Sequence, residues 1–346
     1  MCGPHPSHHS TAYNLNMLDR RRFLSLSAAA AAATALPAQI PTAAKPGHLR
    51  FVFFTDTHTQ PELSAADGTA QALRKIKTHK PDFCIQGGDH CFDINAIPRD
   101  RALMLLDLYA KTEHSLDGIP VHHTLGNHDV FGTAPAANVP ASDPLYAKKS
   151  FEQRYNTKTY YSFDRNGYHF IILDSVGITP DGEFEGRVDR DQLVWLAADL
   201  LALPPGTPVI VVSHIPLVSA IGQYKPDDRL AGKKHNYFMV DNSYDVIPIF
   251  EGHNIIAVLQ GHTHVNETVY WRNTPYITSG AVCGNWWHGS RWGTPEGFTI
   301  LELEGGRVHW RYDTYGWKST SPEADFLTPI AHPTHTSAPP PRFDPF

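Results

Sequence analysis

Five short groups of metal-binding side chains follow one another along this chain of 346 residues: Asp56-Thr57-His58, Gly88-Asp89, Gly126-Asn127-His128-Asp129, Val212-Ser213-His214 and Gly261-His262-Thr263-His264. Carboxylate, amide and imidazole groups are the ligands that hard and borderline cations take. Two cations held close together repel each other, and a shared anionic oxygen relieves that repulsion; a carboxylate therefore belongs at the middle of such a site, and Asp89 is the candidate bridge. Asp56 and His58 stand two apart, as do His262 and His264, a spacing that turns both side chains to one side of an extended segment. Singly, each group has a plainer reading. Asp56 could cap a helix, Asp89 could accept turn hydrogen bonds, Gly126-Asn127 could be a turn and His214 a packed histidine. Five such coincidences in a single chain are very improbable.

Four of the five groups follow an apolar run of the kind that forms a buried strand: Phe51 to Thr55, Phe83 to Gln86, Val209 to Val212 and Ile255 to Leu259. In open α/β sheets, loops leaving the carboxyl ends of neighbouring strands converge on one crevice. Leu49 to Thr55 reads as a first strand, and Gly68 to Thr78 carries Ala70, Leu73 and Ile76 at helical spacing. Phe83 to Gln86 and a helix over Asp100 to Lys111 repeat the pattern, which predicts a parallel sheet with crossovers. Tyr160 to Arg165 and Gly167 to Asp174 then form a hairpin at Asn166-Gly167. Asp189 to Leu201 is an amphipathic helix. Pro275 to Thr278, Phe298 to Glu304 and Val308 to Tyr312 are further strands, the last two meeting at Gly305-Gly306.

Hydrophobic residues make up 41% and charged residues 18%, which allows a sizeable core and excludes global disorder. A net charge of -6 excludes a surface built to coat nucleic acid and favours a small or soluble substrate. The 21 histidines exceed what packing alone explains. At the amino terminus, Asp19-Arg20-Arg21-Arg22-Phe23-Leu24 precedes an alanine-rich run to Ala35, with Ala33-Thr34-Ala35 as a small-residue cleavage site. Residues 1–38 therefore read as an export signal and its flank, and Arg20-Arg21 with Phe23-Leu24 resembles the twin-arginine type. The apolar run is too short to span a bilayer, so the mature protein is expected in the periplasm or outside the cell without a membrane span. Met17 offers a second possible start. Cys84, Cys91 and Cys283 match no zinc motif; they read as buried thiols, with a Cys91–Cys283 disulfide as the alternative in an oxidising compartment. Residues 319–346, with Pro339-Pro340-Pro341, read as an extended or disordered tail, leaving 47–318 as the folded domain.

The order Asp-x-His, Gly-Asp, Gly-Asn-His-Asp, His, Gly-His-x-His resembles the calcineurin-like metallophosphoesterase superfamily over roughly Leu49 to Tyr315. The resemblance implies a four-layer α/β/β/α sandwich, two mixed β-sheets flanked by helices. It also implies hydrolysis of phosphoester bonds by a hydroxide shared between two metals. Carried over by position, the first metal falls to Asp56, His58, Asp89 and His264, and the second to Asp89, Asn127, His214 and His262. His128 takes the place of the histidine that contacts phosphate and protonates the leaving oxygen. Divalent or trivalent Mn, Fe or Zn suit this set.

Relatives commonly carry an Asp three residues after the bridging one, where this chain has Phe92, so Asp93 and Asp129 are both candidates to orient His128. Phe92 also replaces the metal-binding tyrosine of purple acid phosphatases, and a purple iron site is not expected. His90 and His123 match no ligand position and are expected behind the ligands or at the surface. The segment Gly280 to Arg291, with Trp286, Trp287 and Arg291, reads either as a loop that closes over a base, ring or phosphate or as indoles packed under the sandwich edge.

The motifs stand nearest the cyclic-nucleotide phosphodiesterase-like branch and its secreted bacterial members, which puts diesters ahead of monoesters. A small-molecule, lipid or nucleotide phosphoester is the implied substrate. The rivals are a phosphomonoesterase or protein phosphatase-like activity, and a non-catalytic metal-bound interaction module. Filled ligand positions and His128 favour the enzyme. The export reading is checked by amino-terminal sequencing of the secreted protein: a mature chain beginning after the alanine-rich run is expected, and one that retains Arg20-Arg21 contradicts it.

Overall fold

The structure, a computed structural model, describes residues 44–224, 237–325 and 327; the export-signal reading and most of the expected tail lie outside these residues. Its strands are β1 (Leu49–Phe54), β2 (Phe83–Gln86), β3 (Val121–His123), β4 (Tyr161–Arg165), β5 (Tyr168–Leu173), β6 (Val176–Ile178), β7 (Phe184–Gly186), β8 (Pro208–Ser213), β9 (Asn254–Gln260), β10 (Glu267–Trp271), β11 (Thr274–Thr278), β12 (Gly297–Glu304) and β13 (Arg307–Thr314). The longer helices are α1 (Ala65–Thr78), α2 (Arg99–Glu113), α3 (Lys149–Tyr155) and α4 (Arg190–Ala202).

Two mixed sheets result, a five-stranded one in the order β13-β12-β1-β2-β3 and a six-stranded one in the order β10-β11-β9-β8-β5-β4. Within them β1, β2 and β3 run parallel, as do β5, β8, β9 and β11. Strand alternation sorts the apolar residues into layers. Phe51 and Phe53 of β1 and Phe83 and Ile85 of β2 turn inward to meet Phe170, Ile172, Ile210, Val212 and Leu259 of the second sheet. The alternate residues, Val52, Phe54 and Cys84, face outward onto Ala72, Leu73 and Ile76 of α1. On the far side, Ile171, Leu173, Val209 and Val211 pack under Leu196 and Leu200 of α4. The four-layer α/β/β/α arrangement follows from β-strands that are apolar on both faces.

Two turns match their residues. Asn166 and Gly167 both adopt positive φ (49° and 80°), as do Gly305 and Gly306 (57° and 77°), the conformation that a two-residue hairpin loop requires. Four strands and the short helix α3 escaped the sequence reading. The strand β3 is three residues long and contains two histidines, β6 and β7 form an isolated ribbon, and β10 is a half-exposed edge strand.

His169 on β5 joins the sheet edge to a helix, with Nδ1 at 2.7 Å from Asp164 Oδ1 of β4 and Nε2 at 2.8 Å from Asp199 Oδ2 of α4. Burial works against a charged imidazole here, but the two carboxylates outweigh it and the pKa is raised. A raised folded-state pKa contributes stability that is complete below the ordinary imidazole value and is lost as pH climbs through the folded one. The stability deficit of His169→Gln in urea unfolding is therefore expected to shrink from about pH 6 to about pH 9; an equal deficit at both contradicts the bridge.

Candidate metal centre

All five ligand groups leave the carboxyl end of a strand. Asp56 and His58 follow β1, Asp89 follows β2, Asn127 and His128 lie in a single turn after β3, His214 follows β8, and His262 and His264 follow β9. The chain has to turn sharply to aim these side chains back across the sheet ends. Asp56, His58, Asp89, His262 and His264 all adopt positive φ (54°, 39°, 58°, 69° and 62°). That region is uncommon for residues with a Cβ and costs about 1–3 kcal/mol each. The glycines of the motifs have a steric role. A Cβ on Gly88 would lie 2.4 Å from His214 Nδ1, and one on Gly126 would lie 2.2 Å from Asp89 Oδ1.

Every ligand histidine has one ring nitrogen fixed by a backbone carbonyl. His58 Nδ1 donates to Phe92 O at 3.2 Å, His214 Nδ1 to Gly87 O at 2.8 Å, His264 Nδ1 to Gly284 O at 2.6 Å and His262 Nε2 to Tyr237 O at 2.8 Å. A carbonyl can only accept, so in the neutral rings the lone pair is left on Nε2 of His58, His214 and His264 and on Nδ1 of His262. The carboxylates follow the same rule. Asp56 Oδ2 accepts from Thr55 Oγ1 at 2.6 Å and from the His262 amide at 3.0 Å, while its buried Oδ1 has no hydrogen-bond partner among the described residues. Asp89 Oδ1 accepts from the His128 amide at 2.8 Å, while Oδ2 lies 3.5 Å from His58 Nε2 and 3.2 Å from His214 Nε2.

The freed lone pairs face one another. His58 Nε2 and His264 Nε2 are 3.2 Å apart, His264 Nε2 and Asp56 Oδ1 3.3 Å, and His214 Nε2 and Asn127 Oδ1 3.1 Å. Asp89, His214 and His262 offer atoms all within 4.8 Å of one another. Buried acceptors at such distances are costly unless a positive charge lies between them, and metal cations meet that requirement. The donor set therefore fits two cations. Asp56 Oδ1, His58, His264 and Asp89 Oδ2 surround one position, and Asp89 Oδ2, His214, Asn127 Oδ1 and His262 surround the other.

Electrostatics agree. Burial drives His58 down to about 3 and His262 down to about 4, so both are neutral donors. Burial opposes ionisation of Asp56 and Asp89, yet both stay below the ordinary carboxylate value, Asp56 chiefly because of His264 and Asp89 chiefly because of His214 and His128. Burial likewise lowers His214, but Asp89 and Asp56 push it up to about 9, where a proton supplies the positive charge that a cation would bring.

Around the ligands, Asp93 Oδ1 lies 3.5 Å from His128 Nδ1. Asp129 is turned elsewhere: its carboxylate accepts from the amides of Asp89, His90 and Gly126 at 2.8, 2.9 and 2.9 Å, and lies 2.8 Å from His90 Nδ1. Of the two candidates, Asp93 faces His128 and Asp129 binds the second and third ligand loops together. His90 and His123 are buried behind the ligands with ring nitrogens 3.0 Å apart, not at the surface.

One of the two tryptophans requires a correction. Trp287 is fully buried, its indole N–H shared between Thr57 O and His58 O at 3.1 and 3.2 Å, so it offers no surface to a substrate. Trp286 lies against His58 with ring centroids 3.9 Å apart. Arg291 donates to Asn285 Oδ1 at 2.8 Å and lies over the Trp292 ring at 4.4 Å, within its own loop. The disulfide alternative is also corrected, because Cys91 and Cys283 are both free and buried. Cys283 Sγ lies 3.6 Å from His264 Nδ1, beside a ligand, which its spacing gave no reason to expect. The carbonyls of Gly87, Phe92, Tyr237 and Gly284 were equally invisible, since every residue has one.

The calcineurin-like phosphoesterase family matches residues 49–266. Among solved structures, a dimetal phosphatase from Danio rerio aligns with a TM-score of 0.57 at 16% identity, covering 78% of this chain and 97% of that one. Purple acid phosphatase PPD1 from yellow lupin (Lupinus luteus) seeds aligns at 0.52 and 15%, covering 81% of this chain and 54% of that one, so the chain spans about half its length. At such identities the likeness is one of fold. No curated protein matches the chain by sequence. Elemental analysis of Asp89→Asn is expected to show both metals depleted together; two metals per chain in that variant would remove Asp89 from the shared position.

Proposed function

The chain belongs to the calcineurin-like phosphoesterase family, a phosphoester hydrolase fold with a dinuclear metal centre, and on that premise we propose that it is an exported phosphodiesterase. One observation carries the reading most directly: a single oxygen, Asp89 Oδ2, faces both ligand sets while Asp89 Oδ1 is tied to the amide of His128. The group that holds the two halves together thus also fixes the residue that would handle the proton.

When bound, the two cations supply Lewis acidity toward phosphoryl oxygens and lower the pKa of water. The protein's own groups do the rest. Asp56, His58 and His264 are buried, whereas the His128 side chain keeps 22% of its surface, so substrate meets the centre on the His128 side. Burial favours neutral His128, but Asp89 and Asp93 prevail and its pKa is raised, so the imidazolium is available near neutral pH to protonate a departing alkoxide. With Nδ1 turned to Asp93, Nε2 is the nitrogen that delivers the proton.

Support for a diester comes from the Gly-Asn-His-Asp motif and from the walls of the site. Trp286 stands 5.1 Å from His128 and Phe92 lies 5.6 Å from Trp286, while Phe184 and Tyr237 lie 5.7 and 5.8 Å from His262. Aromatic surface on both sides suits a phosphate that carries two organic groups. Mn, Fe and Zn all suit the ligands, and the Arg20-Arg21 pattern supports export.

His128→Ala is expected to keep both metals and to lose roughly 10²–10⁴ in kcat on bis(p-nitrophenyl) phosphate; parallel loss of metal would show that its role is misassigned. A higher kcat/KM for that diester than for p-nitrophenyl phosphate is the expected preference, and the reverse order would make the protein a monoesterase.

A further inference from the structure

We propose that the segment Ser319–Asp325, beyond the last strand, is part of the active site. It clamps the loop bearing Trp286, and Trp286 so held selects phosphoesters whose organic group is a flat aromatic or heterocyclic ring. The inference rests on the phosphodiesterase reading and names the substrate class of the same site.

Trp286 and Trp287 are consecutive residues with positive φ (53° and 73°), a conformation that bulky side chains rarely adopt and that needs anchoring. Trp287 is the anchor on the inside. Its ring fills the space above Gly68 of α1, where a Cβ would come within 2.2 Å of it, and its indole N–H is spent on the carbonyls of Thr57 and His58. That fixes the next side chain outward. Trp286 is laid on the buried His58 ring and stands 5.1 Å from His128 and 5.5 Å from His264. One indole face is thereby used on the ligands and the edge at Phe92, 5.6 Å away, continues the wall toward solvent.

The outer anchor is the segment after β13. Ser319 Oγ donates to Trp287 O at 2.6 Å, and the amide of Glu323 donates to His288 O at 2.8 Å. His288 Nδ1 donates to Ser321 O at 2.8 Å. Asp325 Oδ2 accepts from Ser290 Oγ at 2.8 Å and from the Gly293 amide at 2.7 Å. These contacts grip the loop after Trp286, Asn285 Nδ2 donates to Glu323 Oε2 at 3.4 Å just before it, and the indole itself is left untouched. A segment that only trailed from the domain would have no reason to pair its backbone with this loop. The consequence is chemical: a rigid indole beside His128 rewards a planar group on the ester and gives nothing to a methyl group.

The test is the ratio of kcat/KM for bis(p-nitrophenyl) phosphate to that for methyl p-nitrophenyl phosphate, in full-length protein with two metals per chain verified for each variant. Trp286→Ala is expected to lower the ratio roughly tenfold. Asp325→Ala and Ser319→Ala, which remove bonds to the loop and leave the indole in place, should lower it in the same direction, and Trp286→Ala with Asp325→Ala should fall no further than Trp286→Ala alone. An unchanged ratio in Trp286→Ala overturns the selection. An unchanged ratio in folded Ser319→Ala and Asp325→Ala, or full additivity in the double variant, overturns the clamp. Wild-type protein that turns over neither ester overturns the phosphodiesterase reading itself, a result distinct from an active enzyme with an insensitive ratio.

Discussion

Two positive charges can sit side by side in a buried site only if something negative is shared between them, and the group this structure offers for that duty is one oxygen of Asp89, which faces both His58 and His214. Its position is fixed from several directions. Asp89 adopts positive φ directly after β2, Gly88 and Gly126 leave room for the side chains that crowd it, and its second oxygen is occupied by the His128 amide. Asp129 accepts from the amides of Asp89 and Gly126 and so holds the two loops at a set distance. A carboxylate free to rotate would satisfy one ligand set and abandon the other.

The sandwich explains how residues so far apart in sequence can serve that oxygen. Strands β1, β2 and β3 belong to one sheet and β8 and β9 to the other, and the dense layer of Phe51, Phe53, Phe83, Phe170, Ile172 and Val212 between them sets their spacing. Burial of large apolar side chains of this kind, worth about 1.5–3 kcal/mol each, is the reservoir against which the strained ligand backbones are held. The same rigidity lets backbone carbonyls choose the lone pair of each ligand histidine, a form of preorganisation that no side-chain substitution nearby would reproduce.

Much of this was legible in the sequence, and the reasons differ by element. Long strands such as Phe51 to Thr55 and Val209 to Val212 announced themselves because both faces are buried, and the Asn166-Gly167 turn because only certain residues accept its φ. The residues that converge at the strand ends were legible from type and order, since a histidine or carboxylate has little other reason to follow a buried strand so regularly. Strand β3 was not, because three residues with two histidines carry no hydrophobic period. Adjacent tryptophans could not be told apart by sequence; burial of Trp287 and outward placement of Trp286 depend on Gly68 of a distant helix. Nor could Asp93 be separated from Asp129, because which one faces His128 is decided by hydrogen bonds to backbone amides that every residue possesses.

The central claim is that one carboxylate oxygen is common to two metal positions. Anomalous diffraction from crystals of the metal-loaded protein tests it most directly. Two anomalous peaks are expected, both within coordination distance of the same Asp89 oxygen, one flanked by His58 and His264 and the other by His214 and His262. A single peak, or two peaks of which only one touches Asp89, would contradict the account.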